Sequence, residues 1–209
     1  SIVTWGNSSS GGDNNVGITT QLDSGVVNIK GNYQAFAALK DDGSVVTWGD
    51  SDKGGDSSSV AAELSSGVEE LYATFDAFAA LKDDGSVVTW GDSDKGGDSS
   101  IVASDLTSGV VNIVANNNAF LALKNDGSAV VWGDSSHGGE TILDLSGGVT
   151  GIYASEGAFA VIKEDLHFEG NTGSVQHWGN SSFGGINDNS GGWYDNGDLD
   201  GHMGITESG

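Results

Sequence analysis

The chain has 209 residues, of which 30 are acidic and only 7 are basic, so its formal net charge is −23. Binding to nucleic acids and to anionic membranes depends largely on Lys and Arg, and this charge therefore argues against both kinds of partner. The chain also has no cysteine, which excludes disulfides and thiol chemistry. It has no apolar run long enough to predict membrane insertion.

One segment occurs twice without change. Residues 35–58 and 77–100 have the same sequence over 24 positions, 42 residues apart. Related copies surround them, because a Trp-Gly pair recurs at similar spacing, at Trp5, Trp48, Trp90, Trp132 and Trp178. A period near 42 residues is typical of repeat proteins, in which each unit packs on its neighbours.

Three strands are predicted in each unit, and the second unit shows them in order. Residues 67–72 alternate between apolar and polar side chains, which predicts a strand. Residues 77–81 are apolar on both faces, which predicts a buried strand. Asp84-Gly85 is typical of a two-residue hairpin turn and leads into a third predicted strand at residues 87–90.

The rest of the unit connects one meander to the next. A glycine-rich loop at residues 91–98 is followed by a segment that predicts either a marginal fourth strand or a packed connection. A single meander cannot bury both of its faces, so we expect the Trp and Phe of each unit to pack on the next unit. Consecutive meanders of about 40 residues are typical of propeller blades, with a β-solenoid as the main alternative.

The predicted fold is therefore all-β: a β-propeller-like array of three- to four-stranded meanders, with about five blades or as a fragment of a longer array. We assign residues 1–186 to this repeat domain and residues 187–209 to an acidic tail rich in Gly and Asn. The first residues fall within a repeat, which indicates a fragment or a processed chain. Residues 2–5 would close a small propeller if they completed its last blade; otherwise the array stays open.

The repeats resemble those of the regulator-of-chromosome-condensation family. The resemblance is carried by residues 38–50 (Ala-Leu-Lys-Asp-Asp-Gly-Ser-Val-Val-Thr-Trp-Gly-Asp), by Gly54-Gly55 and by residues 65–68, and it recurs over residues 1–186. It is similar above all to the short-repeat bacterial branch, which includes a secreted β-lactamase-inhibiting propeller. The resemblance implies a β-propeller, but the family's functions range from nucleotide exchange to scaffolds and inhibitors. The family's Gly-Gln is Gly-Gly here, and no functional residue of the family maps onto this chain.

The end of the chain matches a calcium-binding loop. The pattern D-x-[DN]-x-[DN]-G-x5-E supplies oxygen ligands at positions 1, 3, 5, 7 and 12 and a glycine at position 6. Here position 1 is Asn rather than Asp, and the flanking residues do not predict helices. The predicted calcium ligands are Asn196, Asp198, Asp200, His202 (through its carbonyl) and Glu207. The alternative is a flexible acidic tail without a metal.

Two further groups of carboxylates are interpreted as turn residues. The loop after Trp48 contains Asp50, Asp52 and Asp56, which could hold a cation. However, the position of Asp52 is a serine in three of the other units, whereas the position of Asp50 is always Asp or Asn, as an Asx-turn requires. Asp83-Asp84 likewise belongs to a hairpin turn rather than to an acid/base pair. We find no catalytic set and predict that the protein is not an enzyme.

These observations predict a structural or adhesive module of a large acidic surface protein, stabilised by calcium. An extracellular, saline setting suits the charge, because ions screen the repulsion among carboxylates. The expected partners are other copies of the repeat, surface proteins or glycans. Two alternatives remain: a secreted protein-binding or inhibitor propeller with an aromatic patch on one rim, and an intracellular exchange-factor-like scaffold. We expect local binding residues in the divergent fourth unit and in the tail.

Overall fold

The computed structural model describes residues 2–12, 20–141, 143–164 and 173–185. These residues form four three-stranded antiparallel sheets, one for each repeat, and in every sheet the strands lie side by side in chain order. The predicted all-β array of meanders is confirmed. The tail that we assigned to residues 187–209 lies outside the described residues. Within them, no helix is long and apolar enough to cross a membrane.

Each sheet is called a blade below. The blades consist of β1 (Val26–Gly31), β2 (Ala35–Lys40) and β3 (Val45–Gly49); β4 (Val68–Ala73), β5 (Ala77–Lys82) and β6 (Val87–Gly91); β7 (Val110–Ala115), β8 (Ala119–Lys124) and β9 (Ala129–Gly133); and β10 (Val149–Ala154), β11 (Ala158–Glu164) and β12 (Gly173–Gly179). After β3, β6 and β9, the described residues form a packed connection with short 3-10 turns, such as Glu63–Ser65, and not a fourth strand.

The hairpin turn between the second and third strands forms where the sequence predicts it. In the second blade, Gly85 has a φ of +76°, a left-handed conformation that glycine adopts without strain. The Ser86 amide and hydroxyl both donate to Asp84 Oδ1, at 2.9 and 2.6 Å. Both hydrogen bonds lower the pKa of the Asp84 carboxyl, and the bond from the Ser86 hydroxyl has the larger effect. Asp84 is therefore a turn residue.

The middle strand of each blade is buried on both faces, as predicted. In β5, Phe78 and Ala80 pack towards the first blade, whereas Ala77, Ala79 and Leu81 pack towards the third. The hydrophobic core is thus divided into layers between consecutive blades. Alanine is suited to these positions because its small side chain lets neighbouring sheets approach closely.

A Phe–Trp pair joins each of the second, third and fourth blades to the blade before it. The rings of Phe78 and Trp90 stack with centroids 5.4 Å apart, and Trp90 Nε1 donates to the Gly54 carbonyl oxygen at 3.0 Å. A Cβ atom at Gly54 would lie 2.7 Å from Phe78 Cδ2, so only glycine leaves room for the ring. Our expectation that the aromatic pair packs on the next unit is wrong in direction, because its partner is the preceding unit.

The same contact occurs at the other two junctions. The equivalent glycines, Gly54, Gly96 and Gly138, are called glycine seats below, and their carbonyls accept from Trp90, Trp132 and Trp178 at 3.0, 3.1 and 2.9 Å. The second glycine of each Gly-Gly pair, such as Gly55, is needed for another reason. A Cβ atom at Gly55 would lie 2.5 Å from the backbone of Gly49, so this position has room only for glycine.

The array does not close into a barrel. The Ile2 amide donates to the Leu22 carbonyl at 3.3 Å, as the Val87 amide does to the Leu106 carbonyl at 2.9 Å. Residues 2–5 therefore lie against the first blade, in the place that the third strand of a preceding blade would take. They do not complete the fourth blade, in which the described strands are β10, β11 and β12.

The first prediction concerns the glycine seat. Gly96→Ala places a Cβ about 2.6 Å from Phe120 Cδ2 at a φ of +95°, which adds overlap worth about 1–3 kcal/mol to backbone strain of about 1–2 kcal/mol. Gly184→Ala is the matched control, because Gly184 has a φ of +91° and no described atom lies within 4 Å of its Cβ position. Denaturant unfolding followed by tryptophan fluorescence should show a larger loss of unfolding free energy for Gly96→Ala than for Gly184→Ala. Equal losses would contradict the role of Gly96 as a glycine seat.

Candidate functional site

The predicted calcium ligands, Asn196, Asp198, Asp200, His202 and Glu207, lie outside the described residues. In the part of the chain that is described, no group of three or more His, Asp or Glu side chains could hold a metal ion. The interpretation of the loop carboxylates as turn residues is confirmed. Asp50 Oδ1 accepts from the Asp52 amide at 3.0 Å and caps the 3-10 turn Ser51–Lys53.

Ion pairs connect these turns from blade to blade. Lys53 Nζ lies 2.8 Å from Asp92 Oδ2 and 3.4 Å from Asp76 Oδ2, and Lys95 Nζ lies 2.9 Å from Asp134 Oδ2. The hydrogen bond from Lys53 lowers the pKa of the Asp92 carboxyl. Asp92 and Asp134 therefore each serve two purposes: each caps the start of its own turn, and each attracts the lysine of the preceding turn.

The loops between the first and second strands meet along one rim of the array. The first residue of each loop fixes it to the following 3-10 turn. Asn116 Oδ1 accepts from the Ala119 amide at 2.8 Å, while Asn116 Nδ2 donates to the His137 carbonyl at 2.6 Å. Thr74 makes the equivalent bonds in the second blade, and both side chains are buried. These loops are therefore held rigidly, because their buried polar groups are satisfied.

Main-chain hydrogen bonds align the second residues of the four loops. The Tyr33 amide donates to the Phe75 carbonyl at 3.0 Å, the Phe75 amide to the Asn117 carbonyl at 2.9 Å, and the Asn117 amide to the Glu156 carbonyl at 3.1 Å. Tyr33, Phe75, Asn117 and Glu156 are called the rim row below. Their spacing is set by backbone contacts between blades and does not depend on their side chains.

The rim row exposes two aromatic rings. Tyr33 is 76% exposed and Phe75 is 50% exposed, and their ring centroids are 6.4 Å apart. A cleft of about 480 Å³ lies along the row, with Asn117 and the exposed Glu156 at its far end. Large exposed rings beside polar groups are typical of binding surfaces, since aromatic residues contribute much of the binding energy at protein interfaces.

The side chains around this cleft provide groups of several kinds for contact with a ligand. Glu156 is the single carboxylate among its described lining residues, which include no His or Lys. The cleft offers ring faces for stacking, amide and hydroxyl groups for hydrogen bonds, and one negative charge. By contrast, a cleft of about 690 Å³ near the hairpin turns is lined by residues with structural bonds, such as Lys124, which donates to the Asp105 carbonyl at 2.7 Å.

The sequence analysis did not identify the rim row. It expected binding residues in the fourth unit and the tail, whereas the row takes one residue from each of the four repeats. A signal was present in the sequence. Tyr33 and Phe75 each lie two positions before one copy of the identical 24-residue segment. Two different residues therefore occupy the same position before two identical segments. Asn117 and Glu156 occupy the same position before β8 and β11.

Antiparallel meanders joined in sequence, each packed on the preceding one, define a propeller-type repeat fold. The structure is similar to that of Prp20p from Saccharomyces cerevisiae, the yeast RCC1, with 17% identity and a TM-score of 0.53 over 79% of this chain and 48% of that protein. Human WBSCR16 is also similar, with 19% identity and a TM-score of 0.46 over 74% of this chain and 47% of that one. This chain thus spans about half the length of Prp20p.

The predicted resemblance to the regulator-of-chromosome-condensation repeats is therefore confirmed for the fold. No protein-family model matches the sequence, and no match was found among curated proteins. Similarity to the bacterial branch, with its β-lactamase-inhibiting propeller, stays a prediction from the sequence.

The second prediction concerns the ion pair between Lys53 and Asp92. Asp92→Asn should keep the turn, because Asn7 and Asn180 cap the equivalent turns, but should lose up to about 1 kcal/mol of stability at pH 7. The pKa of Asp92 is lowered in the folded chain. The stabilising contribution of the Asp92 carboxylate is therefore present above the pKa of aspartate in the unfolded chain, about 3.9. It disappears as the pH falls below that value.

Thermal unfolding from pH 7 to pH 3 should show the difference between wild type and Asp92→Asn becoming smaller below about pH 4. Asp50→Asn is the control, since Asp50 caps the equivalent turn of the preceding repeat, but the position equivalent to Lys53 in the turn before it is Ser10. A constant difference between wild type and Asp92→Asn over this pH range would contradict the role of the pair.

Proposed function

We propose that the chain is a non-enzymatic protein-binding module and that the rim row with its cleft is the binding surface. The observation that carries the proposal is the exposed Tyr33–Phe75 pair, on loops that Asn32 and Thr74 fix by hydrogen bonds to the following turns. A rigid aromatic pair loses little conformational entropy on binding, so burying it against a partner yields a larger share of its contact energy. The scaffold thus presents rings that are already in place.

The charge of the chain indicates the chemistry of the partner. With a net charge of −23 and Glu156 at the end of the rim row, the chain attracts a protein with a positive surface and repels an acidic one. Prp20p has been studied for its binding to Gsp1p and to histones, which supports proteins as the class of partner. Binding should therefore weaken as the salt concentration rises.

The third prediction tests this surface. Replacing Tyr33 and Phe75 together with Ala should lower the affinity for a partner captured from the native source. Loss of a central aromatic residue at an interface costs about 2 kcal/mol, or more than tenfold in Kd. Ile101→Ala is the control, because Ile101 is 83% exposed and lies outside the rim cleft. Calorimetry that gives equal affinities for wild type and the double variant would contradict the proposal.

A structural or adhesive role in a large extracellular surface protein is the second candidate. The unchanged 24-residue duplication and the excess of carboxylates favour it, because duplicated units lengthen an array and acidic surfaces suit a saline medium. Its partners would be other copies of the repeat or surface glycans. An intracellular exchange-factor-like scaffold is the third candidate and is supported by the similarity of fold to Prp20p. Immunolocalisation in the source organism would distinguish the extracellular from the intracellular candidate.

The fourth prediction concerns calcium and follows from the sequence of the tail. Titration with calcium should release or absorb heat, and chelation should lower the melting temperature if binding is coupled to folding. Replacing Asp198 and Asp200 together with Ala should abolish both effects, because it removes two of the carboxylate ligands. Magnesium is the control ion. A wild-type chain that shows neither heat nor a change in melting temperature would contradict the site.

A further inference from the structure

The rim cleft carries two kinds of recognition group along one line. The Tyr33–Phe75 ring pair lies at one end, the Asn117 side chain follows, and the Glu156 carboxylate lies at the other end. We infer that this cleft binds an arginine side chain of the partner protein and that it prefers arginine to lysine. The inference rests on the proposed function, since it names the side chain that the rim row recognises.

The two rings offer a flat face and not a slot. Their centroids are 6.4 Å apart and their planes are tilted by 47°, which is typical of rings in direct contact. A flat group between them would need about 3.5 Å on each side, or about 7 Å in all. A bound group therefore stacks on the open surface of Phe75. This ring is 50% exposed although loops of the first and third blades lie on both sides of it.

The carboxylate of the row lies within reach of a group on that ring. Each step along the row is one main-chain hydrogen bond, from Phe75 to Asn117 and from Asn117 to Glu156. Segments joined in this way lie about 5 Å apart, so about 10 Å separates the backbones of Phe75 and Glu156. A side chain above Asn117 can therefore touch the Phe75 ring on one side and the Glu156 carboxylate on the other.

Other kinds of side chain use only part of this arrangement. An apolar side chain would stack on Phe75 but would take water from the Glu156 carboxylate without replacing it. An acidic side chain would be repelled. A lysine ammonium is strongly hydrated and acts as a point charge, whereas a guanidinium is weakly hydrated, lies flat on a ring and bonds a carboxylate through two N–H groups. Arginine therefore satisfies the ring and the carboxylate together.

The charges around the cleft also favour a cation from outside. Lys53 and Lys95 lie in the turns to which the loops are fixed, and each is already paired with an aspartate of the next turn. Glu156 forms no ion pair with any residue that the structure describes. Its charge is thus available to a partner, and the net charge of −23 draws a basic segment towards the surface.

The fifth prediction compares two peptides of equal charge, KGKGRGKGK and KGKGKGKGK, which differ only in the central residue. Fluorescence anisotropy with the full chain at about 50 mM salt, where screening is weak, should show binding of both. The peptide with arginine should bind about twofold to fivefold more tightly, the ratio that one exposed cation–π contact gives.

Variants of the chain separate the two contacts. Phe75→Leu keeps an apolar side chain but removes the ring, so the two peptides should then bind with nearly equal affinity. Glu156→Gln keeps the size of the side chain but removes its charge, so it should weaken binding of both peptides, and of the arginine peptide more. Glu63→Gln is the matched control, because it removes one exposed carboxylate from a turn outside the cleft.

Three results overturn the inference. They are equal affinity of the wild-type chain for the two peptides, no binding of either peptide, and a preference for arginine that Phe75→Leu and Glu156→Gln both leave unchanged. Each of them leaves the proposed function standing when replacement of Tyr33 and Phe75 together with Ala still lowers the affinity for the captured partner. The failure of the arginine inference and the failure of the binding surface are therefore distinguishable.

Discussion

The fold depends on one contact, in which a tryptophan and the phenylalanine stacked on it fill the space above a glycine of the preceding repeat. The indole bonds the glycine carbonyl at each junction between blades, and the glycine has no side chain because the ring needs its place. The contact gives the array a direction. Each of the first three blades is completed by the next one, and burial of the two rings supplies much of the apolar area that a three-stranded sheet cannot bury alone.

Much of this architecture could be predicted from short stretches of sequence. The alternation in residues 67–72, the apolar run at 77–81 and Asp84-Gly85 are local patterns, and each produced the element that it indicates. The direction of Trp90 could not be predicted, because a constant interval between tryptophans does not distinguish packing on the preceding repeat from packing on the next one. The open array also could not be predicted, since closure depends on the small rotation between successive blades.

The rim row was harder to predict, because its members are far apart in the sequence. Tyr33, Phe75, Asn117 and Glu156 are about 40 residues apart and become neighbours only when the blades stack and their loop amides pair. The sequence analysis looked for departures from the repeat in long, divergent segments, whereas this departure is a single position within a conserved-looking unit. The predicted calcium ligands lie outside the described residues and stay a prediction.

The backbone ladder that aligns the rim row uses only amide and carbonyl groups. The side chains at its four positions therefore take no part in aligning the blades. Mutation can exchange them one at a time without disturbing the blades. Duplication of a repeat, of the kind recorded in residues 35–58 and 77–100, adds one more position to the row. Such a protein can acquire a new recognition specificity by copying a unit and changing one residue in the copy.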